Sequence, residues 1–157
     1  MRIEYRTIGV VHSPFQDAEG TPIQPSRAKG AKGTVEVFQE YEEGLSDLDG
    51  FSHIILICHL HKSRSCRLKV VPFLDTELRG VFATRAPSRP NAIGLSVVRL
   101  LGIDGNTLSI EGVDLLEGTP VLAIKPYVSE FDDRAELRMG WLESARKRTD
   151  VADDRFK

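Results

Sequence analysis

Hydrophobic residues in this chain fall in short runs, and where they alternate with polar ones the period is two, the signature of strands with one face buried. Ile3 to His12 opens with β-branched residues, and Gly33 to Phe38 alternates Val35 and Val37 against Thr34 and Glu36. Phe51 to His61 reads as a long apolar strand, with shorter candidates at Leu68 to Val71 and Gly80 to Thr84. Ile93 to Ile103 and Thr107 to Val113 flank the turn Asp104-Gly105-Asn106, and Asp-Gly supplies the positive φ angles of a tight hairpin. Leu122 to Val128 closes the series, and only Glu40 to Leu45 and Arg134 to Lys147 carry a helical pattern. Many short strands with little helix predict a mainly β fold: a small closed or partly closed β-barrel with one or two short helices.

At 157 residues the chain is expected to be one domain over residues 1–148, with a polar tail at 149–157 that frays. Hydrophobic content of 41% and charged content of 28% are ordinary for a globular protein. The N-terminus lacks the apolar core of a signal peptide, and the longest apolar run, Ile54 to Cys58, is too short to span a bilayer. Cys58 and Cys66 match no metal or redox spacing, so the expectation is a cytoplasmic protein with free thiols.

The net charge of −2 hides an uneven distribution. Thr21 to Val35 holds Arg27, Lys29 and Lys32 without an acid; Phe51 to Leu74 holds Lys62, Arg64, Arg67 and Lys69 without an acid; Arg79 to Ile103 holds Arg79, Arg85, Arg89 and Arg99 without an acid. Brought together, these blocks would form the footprint of a polyanion; charge alone favours solvated loops. The irregular stretch Gly20 to Gly33 is longer than a plain connector needs.

Candidate chemistry concentrates in Gly80 to Gly94, which reads Gly-Val-Phe-Ala-Thr-Arg-Ala-Pro-Ser-Arg-Pro-Asn-Ala-Ile-Gly. Pro87 and Pro90 stiffen the loop carrying Arg85 and Arg89, which is how a pre-organised anion site is built. Gly112 to Pro120 presents Asp114 and Glu117 after a strand, where a carboxylate can hold a cationic ligand or accept a proton, or simply sit solvated in a turn. His53, His59 and His61 share a face of one predicted strand, but zinc needs a third ligand that neither cysteine is spaced to give, so no metal is expected. Ser88 has no identifiable base partner. The glycine fingerprint of a doubly wound nucleotide fold, the phosphate loop and the nucleophile elbow are all absent.

Gly80-Val81-Phe82-Ala83-Thr84-Arg85-Ala86-Pro87-Ser88-Arg89-Pro90-Asn91 resembles the signature of the TsaA-like (TrmO, YaeB-like) family. Three further blocks match in order: Ile8 to Pro14, Gly50 to His53, and Asp114 to Pro120 followed by Ile124-Lys125-Pro126-Tyr127. The likeness covers residues 3 to 141, and the chain stops soon after Trp141 without the C-terminal region of some bacterial members. The resemblance implies a small β-barrel that binds S-adenosylmethionine, usually as a homodimer. It further implies methyl transfer to N6 of the threonylcarbamoyl-modified adenosine next to the anticodon, at tRNA position 37. Carried onto matching positions, cofactor contacts would come from Pro22, Ile23, Gln24, His61, Lys62, Arg85, Leu95, Asp114, Leu115, Leu116 and Glu117. Asp114 would accept the proton leaving N6 or hold the cofactor's amino group. Arg27, Lys29, Lys32, Arg89 and Asn91 are the candidate contacts to the tRNA anticodon loop, whose unpaired adenosine can be splayed into a pocket. Two other classes remain open: a non-catalytic cofactor- or RNA-binding module, and a methyltransferase for a small molecule.

Overall fold

In this computed structural model the structure describes residues 1–23, 28, 30–145 and 151–155. Six strands close into an antiparallel barrel in the order β1 (Gly9–His12), β2 (Lys32–Val37), β7 (Thr107–Glu111), β6 (Ile93–Asp104), β3 (His53–His59) and β8 (Thr119–Pro126). Two short strands, β4 (Lys69–Val70) and β5 (Arg79–Gly80), pair as a separate flap within the β3–β6 connection.

The period of two predicted from sequence sorts each strand into wall and interior. Ile54, Leu56 and Cys58 of β3 are fully buried, and they face Val98, Ser96 and Gly94 of β6 in register. Val11, Val35, Val37, Leu100, Leu108, Ile110, Val113 and Val121 complete the interior. A barrel this narrow has room only for its own side chains, and each buried Val, Leu or Ile contributes roughly 1.5–3 kcal/mol by leaving water. At Gly9 the wall leaves no space for a side chain: a Cβ there would lie 2.4 Å from the Glu36 carbonyl oxygen of β2.

Several boundaries differ from the sequence reading. The first strand begins at Gly9 rather than Ile3, although Ile8 still donates its amide to the Val121 carbonyl and accepts from the Phe38 amide, both at 2.8 Å. The expected strand Gly80 to Thr84 is instead the end of β5 followed by a 3-10 turn over Val81–Ala83. The expected helix Arg134 to Lys147 is not formed over its described part, which holds one 3-10 segment, Gly140–Ser144, opening on Gly140 at φ 56°. That left-handed residue interrupts any continuous helix, and residues 146 and 147 lie outside the described ones. Helical character elsewhere is short: 3-10 turns at Gln39–Leu45 and Leu48–Gly50, and a single α-helical turn, α1 (Ser129–Asp132). In the β6–β7 hairpin, Asp104 still pairs with Thr107, and Gly105 alone carries the positive φ, 58°. The polar end of the chain, expected to fray, is engaged where it is described. Val151 bridges to Pro22, and the Arg155 guanidinium lies 5.1 Å over the Phe73 ring while donating to the Pro72 carbonyl at 2.7 Å.

Candidate functional site

Because every neighbouring pair in the barrel is antiparallel, one end collects the connections β1–β2, β3–β6 and β7–β8. Those three connections carry the irregular stretch after His12, the arginine loop and the Asp114–Glu117 turn. Motifs separated by as many as 104 residues thus share a single mouth, although no strand joins them directly.

Hydrogen bonds lock the three connections to one another. Glu117 donates its amide to the Phe15 carbonyl (2.8 Å), and Gly112 donates to Ala31 (2.7 Å). Ser13 Oγ donates to the Leu115 carbonyl (2.6 Å), and its amide donates to Glu117 Oε2 (2.7 Å). Lys62 reaches across from the β3–β6 connection to the Gln16 carbonyl and lies 3.8 Å from Asp17.

Asp114 occupies the floor of this mouth. Its Oδ1 accepts a 2.7 Å hydrogen bond from Ser96, an inward-facing residue of β6 only 2% exposed. Burial pushes the Asp114 carboxyl up to about 7, against the opposing pull of the Ser96 hydroxyl and the positive charge of Arg85. The neighbouring Cys58 thiol is pushed up to about 12, first by burial and then by the Asp114 charge, so it stays an inert thiol. A carboxyl that gains or loses its proton near neutrality is suited to accept one, and when ionised it is a strong site for a cation.

Glu117 has a different task. Its Oε1 lies 2.8 Å from His12 Nδ1, and His12 Nε2 lies 3.1 Å from Glu36 Oε2 on β2. Hydrogen bonding to His12 and to the Ser13 amide holds Glu117 below the usual carboxylate range, and the two carboxylates raise His12. The Glu117 side chain therefore clamps the turn to β1. Leu115 is 5% exposed and belongs to the core, while the Leu116 carbonyl accepts the Thr119 hydroxyl at 2.7 Å.

The arginines divide between surface and scaffold. Arg85 is exposed and close enough to Asp114 for its charge to act on that carboxyl. Arg89 turns back into its own loop, donating to the carbonyls of Val81 (3.1 Å) and Thr84 (3.3 Å). Ser88 is fully buried and bonds Ser65 Oγ at 2.9 Å, so it is a structural hydroxyl. His61 sits just past the end of β3, half-buried, with burial first and then the charges of Lys62 and His59 lowering its pKa. It does not share the outer face of β3 with His53 and His59.

Pro22 and Ile23 end the first described stretch of the β1–β2 connection, beside the buried Thr21. Lys32 and Asn91 are exposed at the rim. Leu95 stands apart: the alternation that turns Ser96 inward puts Leu95 on the outer wall, 53% exposed and opposite Ile57. Gln24, Arg27 and Lys29 lie outside the described residues. Among the described residues no group of three His, Cys, Asp or Glu side chains is placed to hold a metal, and both cysteines are free thiols. Ser96 was not singled out by sequence reasoning; a lone hydroxyl at an inward position of an apolar strand was the available signal.

The closed barrel is filled by its own side chains, and a partly buried acid and an exposed arginine under interlocked loops at one end make those connections the candidate ligand site. Residues 10–133 match the tRNA-methyltransferase O N-terminal domain, and the chain belongs to that family. It is 54% identical to a probable S-adenosyl-L-methionine-binding protein of Pyrococcus abyssi, over 98% of this chain and 84% of that protein. It is 39% identical to the human tRNA (adenine(37)-N6)-methyltransferase, over 80% of this chain and 30% of the human one. The crystal structure of TrmO from Pseudomonas aeruginosa superposes with a TM-score of 0.75 at 40% identity, covering 89% of this chain and 62% of that one. The chain thus spans less than two thirds of that solved relative and less than a third of the human one.

Proposed function

We propose that this protein is an S-adenosylmethionine-dependent methyltransferase acting on N6 of the threonylcarbamoyl-modified adenosine at position 37 of tRNA, as a homodimer in the cytoplasm. The observation that carries the reading is the meeting of Asp114 with the Arg85 charge at the barrel mouth. The methionine end of the cofactor carries an ammonium and a carboxylate, and an acid beside an arginine matches that pair. The names of the archaeal and human relatives and of the solved bacterial one support the same cofactor and acceptor.

When bound, the cofactor supplies an electrophilic methyl group. Asp114, Leu116 and the Glu117 backbone hold the floor of the site, while Arg85, His61, Lys62, Pro22 and Ile23 form its rim. With donor and acceptor held in line, most of the rate comes from alignment. With Asp114 taken by the cofactor's ammonium in this arrangement, the proton leaving N6 passes to solvent at the open mouth. Lys32 and Asn91 at the rim contact the flanking nucleotides, and the bonds of Arg89 to the Val81 and Thr84 carbonyls support a bracing role for it in this reading. No helix among the described residues is long and apolar enough to cross a membrane.

Methyl-labelled cofactor incubated with tRNA bearing or lacking the threonylcarbamoyl group tests this reading. Label is expected only in the modified tRNA, and none in either sinks the assignment. A second reading, a cofactor-binding protein without turnover, is favoured by the name of the archaeal relative. It predicts saturable cofactor binding in calorimetry with no transfer to any RNA.

A further inference from the structure

The flap formed by β4 and β5 stands beside the mouth on its own small core of Val70, Val81 and Ala86, with Phe73 packed against it. The segment entering it carries Arg64, Arg67 and Lys69, all exposed, and no side-chain hydrogen bond or ion pair engages them among the described residues. Three bonds tie that segment to the Arg85 loop: Ser63 Oγ to the Pro87 carbonyl (2.9 Å), Ser65 to Ser88 (2.9 Å), and the Arg67 amide to the Ser88 carbonyl (3.3 Å).

On the same flap, the 3-10 turn after β5 puts Val81 inside at 1% exposure and turns Phe82 out at 79%. The turn is braced from both sides. Arg89 donates to the carbonyls of Val81 and Thr84, and the Val81 amide donates to the Leu68 carbonyl at 2.9 Å. Single exposed apolar residues are common and need no explanation by themselves. Here the ring stands on a braced turn beside Arg64, Arg67 and Lys69, whose segment from Phe51 to Leu74 holds no acid, and the acids that follow, Asp75 and Glu77, are paired with Arg79.

A molecule that fits both features carries flat apolar rings joined by regularly spaced anions. An acidic peptide satisfies the cations but offers the ring no flat partner, and a second copy of this chain brings like charges against like. We propose that Phe82 is a stacking platform for an unpaired base of single-stranded RNA, with Arg64, Arg67 and Lys69 holding the phosphates beside it. The proposal rests on the reading that the acceptor is RNA, and it adds the surface by which a loop nucleotide is held outside the catalytic mouth.

The test uses a fluorescently labelled RNA stem-loop with an unpaired purine-rich loop, and its fully paired counterpart. Phe82→Ala is expected to weaken stem-loop binding by about five-fold or more, Phe82→Trp to retain it, and the paired RNA to respond little. Removing Arg64, Arg67 and Lys69 together should flatten the slope of log affinity against log salt by about 2, at about 0.7 per phosphate contact on a single strand. Thermal melting confirms that the variants fold. If wild type binds the stem-loop and Phe82→Ala binds it equally, the platform is wrong while the RNA reading stands. If wild type binds no RNA at all, both fall. A Phe82→Ala variant that instead loses self-association in sedimentation assigns the ring to a subunit contact and overturns the proposal.

Discussion

Replacing Asp114 by Asn should stabilise the protein at neutral pH and remove its proposed activity. An Asn preserves the shape and still accepts the Ser96 hydroxyl, but it cannot ionise in the mouth. The wild-type carboxyl moves from an ordinary value of 3.8 to about 7 on folding. The folded state therefore favours the protonated acid. Its contribution is fully present below about pH 4, declines as pH rises towards 7, and is gone above that. At 1.36 kcal/mol per unit, the difference amounts to about 4 kcal/mol as an upper bound. Urea denaturation of both proteins from pH 4 to 8.5 measures it. The variant should gain on the wild type steadily up to about pH 7 and hold a constant margin above. Groups common to both proteins, His12 and Glu117 included, cancel in the difference. A stability difference that does not change with pH would refute the claim that burial raises this carboxyl.

Other substitutions separate scaffold from ligand contacts. Arg89→Ala should lower stability by about 1–2 kcal/mol through two lost hydrogen bonds, read from denaturant midpoints. Arg85→Ala should leave stability nearly unchanged but weaken cofactor binding in calorimetry, because its side chain is exposed. His12→Ala should cost about 0.5–1 kcal/mol, given that both partners are partly exposed. That cost should be largest between about pH 4.5 and 6.5, since Glu117 loses its depressed-pKa contribution as pH falls and His12 loses its raised-pKa contribution as pH rises. Gly9→Ala should cost several kcal/mol, measured by thermal melting, because the new Cβ meets backbone rather than a movable side chain.

The strands most legible in the sequence are those whose burial is one-sided. Strand β3 and the β6–β7 hairpin lie within a residue or two of their expected bounds because alternation is a property of the pleat itself. The failures share a physical cause. Gly80 to Thr84 has strand composition, but the flap offers only two residues a partner, and the chain then turns to bury Val81. Arg134 to Lys147 has helical composition without a continuous surface to pack against, and Gly140 breaks it. The basic loops and the Asp114 turn could be recognised as chemistry, but their convergence depends on strand order. The distinct tasks of Arg85 and Arg89 depend on which carbonyls face the loop, information no local pattern contains. Glu117 looked equivalent to Asp114 on the same turn, and only its neighbours His12 and Ser13 show it to be a clamp.

The central claim is that the cofactor sits in the mouth between Asp114 and Arg85, with its methyl group directed at the incoming adenosine. A crystal structure of the protein with S-adenosylmethionine tests this most directly. The account predicts density enclosed by the β1–β2, β3–β6 and β7–β8 connections, with the methionine end against Asp114 and Arg85. Cofactor density on the outer wall, or in the open depression at Phe38, Gln39 and Glu40 at the far end of the barrel, would contradict it.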